Sequence, residues 1–250
     1  MNSIKNDKEV YVLEIFFPFA HFKIPYTIKT RKTYFIPRKR AIISIFNAFF
    51  DNPISFWKFG KKKRKSKKQH NEDTILNNFL VGAELLEFYK TSEQQRIVQI
   101  KARRLTYHPL RDLYDEQQRI VQIKGRGVIR TISNTEFLIN AKYRLYLIPL
   151  SDNIELKDCP VNYLPFGGQN DYLAFDWKLY KEEAEIVNLK EVVLNNYQLI
   201  PRDKVIGFEN ILLENLFEDF VIVKGTLKLK EELTFAKIKE ESSHKFIHLF

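Results

Sequence analysis

Runs of β-branched and aromatic residues recur along the chain and constrain its fold more than any other feature. The first, Glu9–Phe17 (EVYVLEIFF), has the length and composition of a buried strand. Residues 94–149 contain successive runs of the same kind, and others follow at Val192–Ile200, Asp219–Leu227 and Thr234–Ile238. We therefore expect strands in these segments, with the later runs forming a second antiparallel unit.

Two segments show helical periodicity. In Arg38–Phe50 the apolar residues recur three and four apart, directly after Pro37. Proline suits the first helical position because its missing N–H would be unpaired there. In Asn71–Lys90 the apolar residues, among them Phe79 and Leu85, also fit one helix face. We predict a helix in each segment.

Composition excludes several classes of protein. The apolar fraction is 44%, with 21 Phe, which is enough for a folded core. The single cysteine, Cys159, excludes an internal disulfide framework and a cysteine-rich zinc site, and favours a reducing, cytoplasmic location. No apolar run approaches the roughly 20 residues that cross a bilayer. Val10–Phe22 is the nearest, and its Glu14 and Pro18 favour a strand instead.

Positive charge is concentrated in one part of the chain. There are 41 Lys and Arg against 31 Asp and Glu, a formal net charge of +10. Residues 23–68 contain 15 basic residues and one acid, Asp51, so the remainder of the chain is slightly acidic. Eight of the eleven residues in Lys58–Lys68 are basic, and self-repulsion favours an extended run there. The pattern favours a polyanionic partner, nucleic acid first and an anionic membrane second.

One nonapeptide, EQQRIVQIK, occurs twice, as Glu93–Lys101 and Glu116–Lys124. The copies are identical at all nine positions and begin 23 residues apart. Two copies are too few for a solenoid, which needs three or more repeats. A tandem duplication tolerated in a surface hairpin explains the repeat. The alternative is a lengthened basic arm, because basic residues end or follow each copy: Lys101, Arg103, Arg104, Lys124, Arg126 and Arg130.

Signatures of catalysis are sparse. The chain has no phosphate-binding glycine loop, no H-E-x-x-H and no nucleophile elbow. His244 and His248 fit one helix face near the C-terminus but have no third ligand, so we expect no metal and no cofactor. A metal-independent ribonuclease would use a histidine as general base beside a lysine or tyrosine. The candidate pairs are His21 with Tyr26 and His108 with Tyr107.

The segment Phe22–Arg40 interleaves basic and aromatic residues. Basic groups neutralise phosphates, and aromatic rings stack on unpaired bases for about 1–3 kcal/mol each. Residues 38–40 also open the predicted helix, where the helix dipole favours an anion. The alternative is that the rings belong to the core and the charges are merely solvated. The residues concerned are Phe22, Lys23, Tyr26, Lys29, Arg31, Lys32, Tyr34 and Phe35, with Arg38, Lys39 and Arg40.

Three stretches share a recognisable pattern. The first contains Ala20–Lys23 (AHFK), Tyr26-Thr27, Thr33–Pro37 (TYFIP) and Ala41–Ile43; the second Arg130-Thr131, Thr135–Leu138 (TEFL) and Lys142–Arg144 (KYR); the third Tyr163–Ala174 (YLPFGGQNDYLA). They resemble the fifth family of CRISPR-associated proteins, the "Cas five" subunits of Cascade-type complexes, with the I-B-like branch nearest. The chain departs from the family pattern at Arg38, where a second proline is usual, and at Ser44, Asn47 and Asp51, where glycines are common.

The resemblance implies an α+β fold: a ferredoxin-like (RRM-like) domain with a β-hairpin thumb and a smaller β-rich C-terminal part. Accordingly, we expect an RNA-binding domain over residues 1–150, with a basic loop at 58–70 and a hairpin arm at 93–130. A β-rich subdomain would occupy residues 151–250. The resemblance also implies a subunit that holds the 5′ handle of the CRISPR RNA and contacts the large and backbone subunits. In one subtype such a protein also cuts the precursor RNA.

Three functions are therefore compared. The first is a non-catalytic RNA-binding subunit of a type I surveillance complex, with Lys58–Lys68 as a candidate contact to target DNA. The second is a metal-independent endoribonuclease acting on CRISPR repeat RNA. The third is a general polyanion- or membrane-surface-binding protein, although no amphipathic basic helix accompanies the basic run and we expect no membrane partner. The predicted handle residues are Lys23, Tyr26, Arg31, Lys32, Arg38, Lys124, Arg126 and Arg130, of which Lys23 and Arg130 lie at family-like positions.

Overall fold

The structure, a computed structural model, describes residues 7–24, 30–54, 76–102, 120–123, 126–150, 154–168, 172–213, 219–240 and 243–250. Within residues 92–102, 120–123 and 126–133, and at residues 7, 30, 31, 90 and 213, it describes the backbone alone. The described elements are β1 (Asp7–Ala20), β2 (Phe22–Lys23), β3 (Thr30–Arg31), β4 (Thr33–Tyr34), α1 (Lys39–Phe46), β5 (Phe79–Glu87), β6 (Lys90–Ala102), β7 (Ile120–Ile123), β8 (Arg126–Pro149), β9 (Asp176–Pro201), β10 (Val205–Leu213), β11 (Phe220–Lys239) and β12 (His244–His248), with a 3₁₀ turn at Arg202–Lys204.

The expected α+β, ferredoxin-like fold is wrong, because most of the described chain belongs to one large, almost wholly antiparallel sheet. Strand β5 occupies part of the helix predicted over Asn71–Lys90. Alternate residues from Phe79 to Leu85 are buried, and so are Gly82 and Glu84 between them. A strand buried on both faces has no apolar-polar alternation, so its pattern was mistaken for a helix face.

The first predicted helix is confirmed as α1, which is shorter than the periodic segment. Arg38 is its N-cap, so Pro37 precedes the helix instead of opening it. The side-chain amide of Asn47 donates to the Ile54 carbonyl at 3.1 Å, and the Ile54 N–H donates to its oxygen at 2.6 Å. This pair of bonds stabilises the turn after the helix. Ile42 and Phe46 are fully buried among side chains of the sheet.

The long strands exchange partners along their length. On β8, Ile139 pairs with β1 on one edge and with β6 on the other, and Lys142 pairs likewise with β1 and β5. The first part of β9 pairs with β1, and Tyr197 near its end pairs with β5. Strand β11 runs beside β9 and also pairs with β12. Reciprocal backbone bonds between Val81 and Phe250, at 3.2 and 3.0 Å, join β5 to the segment after β12.

These pairings close a circuit of strands in the order β1, β8, β5, the C-terminal segment, β11 and β9. One apolar cluster draws on all these elements and includes Val12, Tyr146 and Ile247. A larger cluster packs α1 on the other side of β1, β5 and β8. A third joins β9 and β11. Strands before and after residue 150 join one sheet, and the division into 1–150 and 151–250 stays a prediction.

A charged group is buried beside the circuit's apolar cluster. The carboxylate of Glu84 is fully buried and lies 2.6 Å from the Nζ of Lys245, which is itself 4% exposed. The Tyr146 hydroxyl donates to Glu84 at 2.7 Å, and the Asn196 side chain donates at 3.1 Å. Arg144 lies 3.9 Å from the same carboxylate and donates two bonds to Glu14. Burying two charges is tolerated when they are paired and hydrogen-bonded in this way.

Candidate nucleic-acid interface

The three stretches of family-like sequence meet around His21. The His21 N–H donates to the Gly167 carbonyl at 2.7 Å, which joins the first stretch to the third. Its Nδ1 lies 2.6 Å from the carbonyl oxygen of Glu136, which belongs to the second stretch. A carbonyl only accepts hydrogen bonds, so Nδ1 carries the proton. We call this meeting point of His21, Glu136 and Gly167 the junction.

The glycine pair beside the junction permits a close backbone approach. Gly168 has φ +85°, and a side chain there would collide with the carbonyl of His21. At Gly167, an added Cβ would lie 3.0 Å from the Cβ of Ala20. Glycine tolerates both demands because it has no side chain. The glycine pair therefore lets the loop pack closely against the backbone of β1 and β2.

Glu136 also holds the β2–β4 hairpin on β8. Its carboxylate accepts from the Thr33 N–H at 3.1 Å and lies 3.7 Å from the Nζ of Lys32. The Thr33 hydroxyl in turn accepts from the Phe22 N–H at 2.9 Å. Strand β3 pairs with β8 nearby, in parallel, with Arg31 opposite Thr135. These bonds place the basic hairpin beside the beginning of the arm formed by β6, β7 and β8.

Two of the predicted handle residues are exposed on this hairpin. Lys23 pairs with Thr33 across β2 and β4, and it makes no ion pair within the described residues. Lys32 follows β3 with 47% of its side chain exposed, and its Nζ lies 3.7 Å from the Glu136 carboxylate. Exposed lysines at one edge of the junction suit contacts to phosphates, which need charge more than fixed geometry.

Arg38 is placed differently. Its guanidinium lies over the Tyr34 ring at 4.4 Å and over the Phe220 ring at 4.2 Å, measured to the ring centroids. Lys39 and Arg40 follow in the first turn of α1, which contains no acidic residue, and burial lowers the pKa of Lys39. Three cations at a helix N-terminus oppose the helix dipole, and a bound anion would relieve that conflict.

Several predicted residues have only a backbone position or none. Arg126 and Arg130 lie in the arm on β8, where they pair with Ile123 and Gln99. Arg31 has a backbone position in β3. Tyr26, Lys124 and His108 lie outside the described residues, as do Tyr107 and the Lys58–Lys68 run.

Two of the three described histidines, His21 and His248, are buried and engaged in packing. His21 is 1% exposed and donates from Nδ1 to the Glu136 carbonyl. His248 is 3% exposed, donates from Nδ1 to the Leu199 carbonyl at 2.8 Å, and has its pKa lowered by burial to about 4. His244 and His248 lie on strand β12, so the helix proposed for them is wrong. Among the residues that the structure describes, no cluster of His, Cys, Asp or Glu is arranged to hold a metal.

Two exposed rings, those of Phe19 and Phe175, were missed in the sequence. Phe19 is 45% exposed and packs against Phe137 and Tyr172, with ring centroids 5.7 and 6.2 Å away. Phe175 is 78% exposed and packs edge-on against Phe16 at 6.3 Å. An isolated sequence does not separate an exposed ring from a buried one, so neither position was singled out.

Comparisons with known proteins add little. No protein-family model matches the chain, and no curated protein matches it. Among solved structures, the chain is similar to a chain of a "CRISPR RNA-guided surveillance complex", with 7% identity, covering 95% of this chain and 91% of that one, at a TM-score of 0.40. Similarity at that level assigns neither a fold nor an activity. No helix within the described ranges is long and apolar enough to span a membrane.

Proposed function

We propose that this chain is a non-catalytic RNA-binding subunit of a type I CRISPR surveillance complex. In this role it holds the 5′ handle of the CRISPR RNA and anchors the large and backbone subunits, in defence against foreign DNA. The junction is the observation that carries the proposal. Its three stretches lie more than a hundred residues apart at the extremes, and His21 contacts the other two at 2.6 and 2.7 Å. Because three separate stretches of family-like sequence pack into one unit, their arrangement supports a common origin of that unit with the family.

The chemistry of the surface suits single-stranded RNA. Lys23 and Lys32 offer charge to phosphates beside the junction, and Lys39 with Arg40 offers it at the start of α1. Phe19 is an exposed ring of the kind on which an unpaired base stacks. We assign Arg31 of β3, and Arg126 and Arg130 of the arm, to the same RNA path, with Tyr26, Arg38 and Lys124 as further candidates.

The remaining parts take roles within the same proposal. Residues 1–150 form the RNA-binding part and residues 151–250 a C-terminal subdomain that contacts neighbouring subunits. The Lys58–Lys68 run contacts target DNA through its charge. The rival function, a metal-independent endoribonuclease, would depend on the pair His108 and Tyr107 instead of His21 and Tyr26, because His21 is buried and its Nδ1 proton is already bound to a carbonyl.

The test is binding of labelled CRISPR repeat RNA, a scrambled RNA and the matching DNA, in chelator, over a series of salt concentrations. The variant K23Q/R31Q/K32Q removes three cations of the hairpin. We expect weaker repeat-RNA binding and a salt slope shallower by up to about 2, since each phosphate contact to a single strand contributes about 0.7. The matched control, K190Q/K230Q/K239Q, removes three exposed cations from β9 and β11 and should leave both quantities unchanged.

Three outcomes would contradict the proposal. An unchanged salt slope in the hairpin variant would remove the hairpin from the RNA path. Equal binding of all three nucleic acids would leave only general polyanion binding. Discrete repeat-RNA fragments in chelator, lost on H108A, would favour the ribonuclease.

A further inference from the structure

Both copies of the repeated nonapeptide pair with the same part of β8. The first copy, Glu93–Lys101, lies within β6, and β7 is the IVQI segment of the second copy. Ile100 of the first copy and Ile120 of the second both pair with Ile129, and both pairings are antiparallel. A strand residue has one neighbour on each edge, so the two copies flank β8 on opposite edges.

The two copies use different registers. Ile97 pairs with Ile132, whereas its equivalent in the second copy, Ile120, pairs with Ile129. The offset is three residues of β8. The IVQI segment of the nonapeptide therefore pairs with β8 in two ways, once on the edge shared with β5 and once on the edge shared with β1.

The sequence between the second copy and β8 suits either register. In the structure Ile123 pairs with Arg126, which leaves two residues between the paired positions. In the register of the first copy, Lys124 would pair with Val128 and leave Gly125–Arg126–Gly127 as a three-residue loop. Hairpin loops of two and three residues are both common, and the longer one needs a glycine in the left-handed region. The two glycines meet that need.

We propose that the second copy exchanges with the first for the β6 edge of β8, so that the arm has two strand pairings. Because the nine residues are identical, that edge keeps the same neighbours in both states. The exchanged state loses the backbone pairs between β7 and β8. It also loses the pairs that β6 makes with β8 outside the first copy, so it is the minor state. Exchange frees the first copy from the sheet and changes the shape of the arm. The inference is independent of RNA binding.

Disulfide trapping in a C159S background tests the exchange. The pair V98C/T131C reports the described pairing, in which these residues are opposite each other. The pair V121C/T131C reports exchange, because Val121 is opposite Val128 in the described state and opposite Thr131 only after exchange. The control V121C/I132C is offset by one residue, where the alternation of a strand disfavours the bond.

We expect V98C/T131C to oxidise fastest and V121C/T131C to form an intramolecular disulfide at least tenfold faster than V121C/I132C. Deletion of residues 93–115 leaves a single copy, and in that chain V121C/T131C should oxidise as fast as V98C/T131C does in the full chain. A V121C/T131C rate equal to the control, a disulfide formed only between molecules, or no bond in the deletion variant would overturn the proposal.

Proline substitution gives a second measurement. Proline removes a ladder hydrogen bond, so V98P weakens the first copy alone. The pair I120C/I132C then monitors exchange away from the substituted position, since Ile120 reaches Ile132 only in the exchanged register. We expect V98P to raise the I120C/I132C oxidation rate and V121P to lower it. Equal rates in the two backgrounds would overturn the exchange, and the unsubstituted pairs decide it if either variant fails to fold.

Discussion

The guanidinium of Arg38 lies 4.2 Å from the centroid of the Phe220 ring and so joins the start of α1 to the first residue of β11. The ring of Tyr34 lies on the guanidinium as well, at 4.4 Å. A cation between two rings contributes through packing of its planar group as well as through charge. This contact ties the basic hairpin region to the late strands of the sheet.

Loss of that contact should cost stability. We expect Arg38→Ala to lower the free energy of unfolding by about 1–2 kcal/mol, from the lost cation–π and packing contacts. Arg38→Lys should recover part of it, because an ammonium keeps the charge but not the planar group. Urea unfolding measures both. Lys230→Ala, at an exposed position of β11, is the control, and equal effects at positions 38 and 230 would contradict this role for the rings.

The buried Glu84–Lys245 pair should behave as a coupled unit. Removing one partner leaves a buried charge with fewer bonds, and we expect Lys245→Met to cost about 3 kcal/mol. The double variant E84Q/K245M should cost less than the sum of its two single variants, since no unpaired charge is left. A double-mutant cycle by urea unfolding measures the difference. Additive costs would show that the two groups do not interact despite the 2.6 Å distance.

Acid should destabilise the protein through His248. Burial lowers its folded-state pKa to about 4, so the unfolded chain, with a pKa near 6.5, takes up the proton first. The free energy of unfolding therefore has its full value above pH 6.5. It decreases as the pH falls from 6.5 through 4, by about 3 kcal/mol in all.

The variant H248N isolates that effect, because its amide can replace the Nδ1 bond to the Leu199 carbonyl without titrating. We expect its unfolding free energy, measured between pH 7 and 4, to fall less steeply than that of the natural chain. H244N, at an exposed position of the same strand, should leave the slope unchanged. Parallel curves for H248N and the natural chain would refute the assignment.

Gly168→Ala should disrupt the junction. Residue 168 has φ +85°, and an added Cβ would collide with the carbonyl of His21, so we expect a loss of more than about 2 kcal/mol. Thermal unfolding measures the change. Gly207→Ala is the matched control, since nothing lies within 4 Å of a Cβ built there and its φ is not positive. A stable Gly168→Ala variant would mean that the loop can leave β1 without cost.

Local patterns predicted the elements whose composition or periodicity is distinctive within the segment itself. The strand at Glu9–Phe17 and the helix after Pro37 are both confirmed, as β1 and α1. The helix over Asn71–Lys90 failed because β5 is buried on both faces, and burial on the second face comes from residues such as Ile247 at the far end of the chain. Such a neighbour leaves no periodic trace in the sequence.

Some features of the candidate site are likewise visible in the sequence, and others depend on long-range contacts. The amino-acid order alone shows where positive charge accumulates, and Lys23 and Lys32 are exposed as charged side chains usually are. The packing of Arg38 against two rings, the burial of His21, and the contact of Glu84 with Lys245 across 161 positions of sequence all depend on the folded chain. Composition and periodicity report local free-energy preferences, whereas these pairings depend on long-range strand register, to which each residue contributes only a little.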